Sequence, residues 1–170
     1  TITGTTSVSG TKTWRVPEGT RLPESITVIL KRNGSPVDSK KVTADDDWSY
    51  EFTELPAYSE DGSTAYTYTV DEEPVEGYIT TVSGTNLINT ITGTTSVSGT
   101  KTWRAPDGTE LPESITVILK RNGSPVDSKK VTAADDWSYE FTELPAYSED
   151  GRTAYTYTVD EEPVEGYITT

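Results

Sequence analysis

Residues 25–42 read SITVILKRNGSPVDSKKV. In the first half of this stretch every second residue is apolar, and the residues that share this face are Ile26, Val28 and Leu30. The dipeptide Asn33-Gly34 is typical of a two-residue hairpin turn. Residues 37–42 then read as the returning strand. The stretch therefore predicts an antiparallel β-hairpin with one buried face.

The same alternation continues on both sides of this hairpin. Shared faces are predicted for Val8, Gly10, Lys12 and Trp14; for Trp48, Tyr50 and Phe52; for Tyr66, Tyr68, Val70 and Glu72; and for Leu87, Asn89 and Ile91, with a further strand at residues 78–82. Seven short strands in about 85 residues, without a helical period, predict an all-β, antiparallel Greek-key β-sandwich. The expected core contains Ile26, Val28, Leu30, Trp48, Tyr50, Phe52, Tyr68 and Val70.

The unit occurs twice. Residues 1–81 and 90–170 align without a gap, at an offset of 89 (90 minus 1). The pairs that differ are Val16/Ala105, Glu18/Asp107, Arg21/Glu110, Asp45/Ala134 and Ser63/Arg152. A repeat this long is expected to fold as a domain with its own core, so the chain reads as two tandem copies.

The repeat also predicts the domain boundaries. Residues 1–6 are interpreted as the tail of a preceding repeat, residues 7–92 as a complete first repeat, and residues 93–170 as a second repeat without its last strand. The second copy is therefore expected to expose a sheet edge. Residues after Thr170, a strand from another chain, or loosening of the domain are the three expected responses.

Composition excludes several classes of function. The 170 residues carry a net charge of −14 and include no Cys, His or Met. This charge argues against nucleic acid and anionic membranes as partners, and no apolar run is long enough for membrane insertion. Without Cys and His there are no disulfides, no thiolate chemistry and no imidazole base or ligand. No cofactor is expected.

Two acidic turns are candidate metal sites, and two aromatic residues are candidate ligand contacts. Residues 45–47 (DDD) and 59–62 (SEDG) lack the spaced acidic pattern of a calcium loop, so they are interpreted as solvated turns with no metal. Trp14 is expected in the core with its indole N–H bonded nearby. Tyr58 fits either a packed or a ligand-contacting position.

Three polar residues share the apolar faces: Lys12, Glu72 and Asn89. Burial favours a neutral lysine amine, which is a nucleophile, and a protonated carboxyl, which can polarise a carbonyl. Attack of the amine on the Asn carboxamide would release ammonia and join the first strand to the last. The same pattern also fits a buried hydrogen-bonded cluster without a reaction, or edge positions that are not buried.

The motifs SVSGTKTW, LPESITVILKRNG, DDWSYEFTELPAYSEDG, YTYTVDEEPVEGYIT and NLINT resemble, in order and spacing, the Cna B-type repeats of Gram-positive surface proteins. The resemblance implies a prealbumin-like or reverse-immunoglobulin sandwich in an adhesin stalk. It also implies an isopeptide bond between Lys12 and Asn89, assisted by Glu72. In the second copy the matching residues are Lys101 and Glu161, and the sequence contains no matching Asn.

Three functions are considered for a chain with this sequence. The first is a stalk module of an extracellular, cell-wall-anchored adhesin, with neighbouring repeats as partners and a host ligand bound by another part of the parent protein. The second is a binding module whose loops contact a host glycan or protein, which an exposed cluster of loop aromatics would support. The third is a turnover enzyme such as a glycosidase, for which the spacing offers no carboxylate pair. Near-identical copies favour the stalk.

Overall fold

The computed structural model describes residues 1–170 and is almost entirely β-structure. The first copy has seven strands: β1 (Thr5–Arg15), β2 (Ser25–Arg32), β3 (Ser35–Thr43), β4 (Ser49–Pro56), β5 (Tyr68–Glu72), β6 (Tyr78–Ser83) and β7 (Asn86–Ile91). The second has five: β8 (Thr94–Thr100), β9 (Ser114–Arg121), β10 (Ser124–Thr132), β11 (Ser138–Pro145) and β12 (Tyr157–Glu161). The only helices are single 3₁₀ turns at Ala44–Asp46 and Ala133–Asp135.

The chain divides into two compact units. The first comprises Thr1–Thr92 together with Glu149–Thr153, and the second comprises Gly93–Ser148 together with Ala154–Thr170. Strand β1 already begins at Thr5, where it pairs with Pro56, while residues 1–4 form no strand.

The first unit is a sandwich of two sheets. One sheet has the strand order β4-β1-β7-β6, and the other has the order β3-β2-β5. The two sheets share one core, which contains Val8, Ile26, Val28, Leu30, Val42, Tyr50, Phe52, Val70 and Leu87. The predicted all-β sandwich of seven strands is therefore confirmed.

Strand β1 changes partner halfway along its length. Thr5 to Thr11 pair antiparallel with β4, from Thr5↔Pro56 to Thr11↔Ser49. From Lys12 onward the strand pairs with β7 in parallel. The sheets are thus antiparallel as predicted, except at this one junction of the first and last strands. Alternation along single strands does not show this exception, because it depends on which strands become neighbours.

Two expected core residues lie at the margin of the core. Trp48 and Tyr68 are only half-buried, although both pack against the buried cluster. Trp48 was placed in the fourth strand, but it precedes β4 with a left-handed φ of 55°, directly after the 3₁₀ turn. Tyr68 remains near the surface because its hydroxyl donates a hydrogen bond to the Pro56 carbonyl at 2.6 Å. The other six expected residues are buried.

In the second unit the first strand is shorter than in the first unit. β8 ends at Thr100 and pairs only with β11, while β9 pairs with β10 and β12. Residues 101–104 correspond to Lys12–Arg15, which in the first unit pair with β7. In the second unit residues 101–104 are not part of a strand, and the backbone N–H of Lys101 donates a hydrogen bond to the Trp137 carbonyl at 2.7 Å.

A close backbone approach at Gly10 provides a test of the first sheet. A β-carbon there would collide with the Thr85 carbonyl, which also accepts the Tyr50 hydroxyl. We expect Gly10→Ala to destabilise the first unit by about 1–3 kcal/mol, because a backbone carbonyl must move. Gly99→Ala is the matched control, since its nearest atoms all belong to the Tyr139 side chain. Amide hydrogen exchange measures the loss of protection in β7 for Gly10→Ala and in β11 for Gly99→Ala. An equal loss of stability in the two variants would contradict the explanation.

Candidate functional site: a buried lysine, glutamate and asparagine

Lys12 lies between the two sheets of the first unit. It sits where β1 changes partner, and its side chain is 0% exposed. Its Nζ donates a hydrogen bond to Glu72 Oε2 at 2.9 Å. Glu72 reaches it from β5 of the opposing sheet, and its side chain is also 0% exposed. The burial expected from strand alternation is therefore observed for both residues.

Asn89 lies on β7, the strand next to Lys12. It is 0% exposed, and neither Oδ1 nor Nδ2 has a hydrogen-bond partner. Its neighbours across the sheet are Trp14 on β1 and Thr80 on β6. An unbonded buried carboxamide is rare in folded proteins, because the lost hydration is normally replaced by protein hydrogen bonds. This residue is the least satisfied polar group of the site.

Thr80 is a member of the site that the sequence analysis did not identify. Its hydroxyl donates a hydrogen bond to Glu72 Oε1 at 2.9 Å. The alternation of Tyr78, Thr80 and Val82 along β6 places it on one face with Tyr78, and that signal was available. A threonine is too common in strands to be identified as functional from this signal alone.

Aromatic rings cover one side of the lysine. The Trp14 ring centroid is 4.4 Å from Lys12 Nζ. Trp48 and Tyr78 pack edge-on against Trp14, with centroids at 5.3 Å and 5.1 Å. The expected hydrogen bond of the Trp14 indole is not present, because Nε1 is buried without a partner. The ring therefore contributes apolar cover and a cation–π contact rather than a polar anchor.

Burial governs the protonation of the lysine. Desolvation lowers the pKa of Lys12 from its usual 10.5, and the hydrogen bond and charge of Glu72 offset this only in part. A lower pKa favours the neutral amine, and Glu72 Oε2 lies within hydrogen-bond distance of Nζ. This arrangement supplies a nucleophile, a proton carrier and an amide within one desolvated site.

The second copy keeps the pair but not its enclosure. Lys101 Nζ lies 2.9 Å from Glu161 Oε2, and the two side chains are 16% and 7% exposed. Thr169 donates to Glu161 Oε1 at 2.8 Å, as Thr80 does in the first unit. An open groove runs along this pair. The same residue types are therefore paired in both copies, and the pair of the second copy is the more exposed one.

In both acidic turns an aspartate accepts hydrogen bonds from neighbouring residues of the same turn. Asp46 accepts hydrogen bonds from the backbone and hydroxyl of Thr43, which closes the 3₁₀ turn, while Asp45 makes no such contact. Asp61 accepts from Ser59 and Ser63, and these bonds lower its pKa to about 2. No three acidic side chains form a group that could hold a metal ion. The chain contains no apolar helix of membrane-spanning length.

Comparison with known proteins identifies the family. The model of the Cna protein B-type domain matches residues 8–90 and 97–170. The chain belongs to this family. The resemblance and the sandwich fold inferred from the motifs are thereby confirmed, and both copies are Cna B-type domains.

The relatives of this chain include a surface adhesin. The chain is 34% identical over 173 residues to a collagen adhesin of Staphylococcus aureus, covering 97% of this chain and 14% of that protein. It is 33% identical to the crystal structure of a single B repeat unit of the collagen-binding surface protein of Staphylococcus aureus, with a TM-score of 0.50, covering 98% of this chain and 91% of that one. A structure of two such units is 34% identical, with a TM-score of 0.49, covering 98% and 46%. This Cna B-type pair therefore corresponds to about one B repeat unit.

The lowered pKa of Lys12 predicts a pH dependence of stability. In Asn89→Ala, which has no carboxamide at position 89, we expect folded Lys12 to release its proton at a lower pH than the unfolded chain does. Between the folded pKa and 10.5 the unfolded state holds more protons, so the free energy of unfolding rises with pH. Urea unfolding from neutral pH to 10.5 measures this rise. The double variant Lys12→Met/Asn89→Ala should not show this rise. If the free energy of unfolding changed with pH equally in the single and the double variant, Lys12 would not be the cause.

Proposed function

We propose that this Cna B-type pair is a spacer segment in the stalk of an extracellular, cell-wall-anchored adhesin. We propose further that its first domain forms an isopeptide bond between Lys12 and Asn89 with the assistance of Glu72. One observation carries the proposal: the Asn89 carboxamide is fully buried and unbonded on the strand next to β1, where Lys12 forms a desolvated pair with Glu72.

The energetics of the unreacted site favour this reaction. Two ionisable groups are removed from water, and a carboxamide is buried without hydrogen bonds. Each is costly relative to a packed apolar core. Joining the lysine to the asparagine removes the buried amine and the primary amide together. The secondary amide that replaces them has one N–H, which Glu72 can accept.

The proposed chemistry balances within the site. Lys12 first passes a proton to Glu72 Oε2, and the neutral Nζ attacks Cγ of Asn89. The protonated Glu72 polarises Oδ1 and then delivers the proton to Nδ2, while a proton from Nζ returns to the carboxyl. The Nζ–Cγ bond forms, the Cγ–Nδ2 bond breaks and ammonia leaves. Glu72 ends protonated, and it returns to the carboxylate when this proton leaves with the ammonia as ammonium. The step occurs once per molecule, so the proposed reaction is not turnover catalysis.

The position of the bond suits a protein under tension. β1 and β7 are parallel neighbours, so pulling the start of β1 away from the end of β7 shears them past each other. A bond between Lys12 and Asn89 lies on this path and carries the load directly. The chain between these residues is then protected from extension. This fits a stalk, in which neighbouring repeats transmit force and another part of the protein binds the host.

The competing function, ligand binding through aromatic loops, lacks structural support. None of the 16 aromatic residues (10 Tyr, 4 Trp and 2 Phe) is exposed. Tyr58 is half-buried and forms an isolated bridge with Ala65. The exposed large apolar side chains are all aliphatic. A host ligand is therefore proposed only for another part of the parent protein.

Intact-mass spectrometry of the full chain tests the bond. We expect the mass to lie below that of the sequence by one ammonia molecule. Lys12→Ala, Asn89→Ala and Glu72→Ala should each retain the full mass of their sequence, because the nucleophile, the electrophile or the proton carrier is missing.

The second copy supplies matched controls for this experiment. Lys101→Ala and Glu161→Ala remove the same residue types from the unit without an Asn counterpart, so both should still lose one ammonia. A wild-type chain at full mass would refute the bond. A Glu72→Ala chain that still loses ammonia would refute the assigned role of the acid.

Pulling on the chain by its ends tests the mechanical role. Without the bond, the 77 peptide units between the two residues (89 minus 12) can extend by about 270 Å at roughly 3.5 Å each. We expect this extension in Lys12→Ala and its absence in the wild type. Loop closure should also stabilise the bonded domain by about 4 kcal/mol, by analogy with a disulfide. Equal extensions in both chains would contradict a load-bearing cross-link.

A further inference from the structure

The two oxygens of the Glu72 carboxyl have different partners. Oε2 accepts a hydrogen bond from Lys12 at 2.9 Å, and Oε1 accepts one from the Thr80 hydroxyl at 2.9 Å. A terminal carboxyl torsion is otherwise broad and roughly two-fold, so the oxygens of a free side chain exchange readily. Here the hydroxyl on one side and the amine on the other fix which oxygen faces the lysine.

Thr80 occupies a position from which it contacts both halves of the site. It is the direct cross-strand neighbour of Asn89, so the two side chains project from the same face of the sheet. Its hydroxyl then crosses to Glu72 in the opposing sheet. Thr80 thus connects the strand beside the electrophile to the acid that serves it.

We propose that Thr80 is a positioning residue for the isopeptide reaction, because its hydroxyl holds Oε1 as an acceptor and so makes Oε2 the oxygen that exchanges protons with Lys12. The inference rests on the proposed function. A hydroxyl that donates to Oε1 disfavours a proton on that atom, and the proton taken from the amine remains on the oxygen nearest the reacting groups. Without the hydroxyl, the acid can hold its proton on the oxygen turned away from them.

The second copy shows that this contact does not depend on a complete site. Thr169 donates to Glu161 Oε1 at 2.8 Å, although that pair is partly exposed and has no asparagine in this sequence. There, Lys101 Nζ also lies 3.2 Å from Oε1, so the amine contacts both oxygens. In the first unit the hydrogen bond of the amine goes to Oε2. The separation of roles is therefore sharper where the site is closed.

The test follows bond formation over time in the full chain. Cell-free-synthesised protein is sampled for loss of ammonia by intact-mass spectrometry. Thr80→Val keeps the shape and removes the hydroxyl, and it should slow the reaction by about tenfold, the scale of one lost hydrogen bond. Thr80→Ser restores the hydroxyl and should restore the rate. Thr81→Val, on the exposed face of the same strand, should react like the wild type.

The controls separate positioning from folding. Thr80→Ala is run beside Thr80→Val, and amide hydrogen exchange in β7 in the unreactive Asn89→Ala background reports whether each fold is intact. A folded Thr80→Val or Thr80→Ala that reacts as fast as the wild type overturns the inference and leaves the bond standing. A Thr80→Ser chain as slow as Thr80→Val also overturns it, since the hydroxyl is then not the cause. A wild-type chain that loses no ammonia overturns both proposals.

Discussion

The hydrogen-bonded ion pair between Lys12 and Glu72 constrains the whole first domain. A lysine between two sheets needs an acidic partner from the opposite sheet, and this fixes the register of β5, where Glu72 pairs with Val28. A slip by one residue would turn Glu72 outward and bring Asp71 inward. Asp71 instead bonds Lys31 at the surface, at 3.2 Å. Adjacent residues of a strand point to opposite faces of the sheet, so Glu72 pairs with Lys12 in the interior and Asp71 pairs with Lys31 at the surface.

The partner change in β1 places the pair beside the last strand. In the parallel ladder between β1 and β7, Lys12 lies opposite Leu87 and Trp14 lies opposite Asn89. The parallel junction has two consequences that arise together. It puts the amine and the carboxamide on neighbouring strands, and it puts the two ends of the domain in a shear geometry. The proposed reaction and the proposed resistance to force therefore both depend on the short parallel pairing of β1 with β7.

The two copies separate the motif from its environment. Lys101 and Thr169 also contact the Glu161 carboxylate in the second copy, but there the amine lies 2.9 Å from Oε2 and 3.2 Å from Oε1. The pair of Lys101 and Glu161 is partly exposed, while the pair in the first copy is fully buried. In the first copy, desolvation by burial is the largest of the causes that shift the pKa of Lys12, and it lowers this pKa.

The sequence by itself determined the all-β class, the Asn33-Gly34 hairpin and the inward direction of Lys12, Glu72 and Asn89. These features are local, because alternation and turn chemistry act over a few residues. Only the tertiary structure decided that β1 changes partner, that Trp48 precedes its strand, that the Trp14 indole lacks a hydrogen bond and that Thr80 bonds Glu72. Each of these depends on which distant segments become neighbours, and a period of two along one strand carries no information about that.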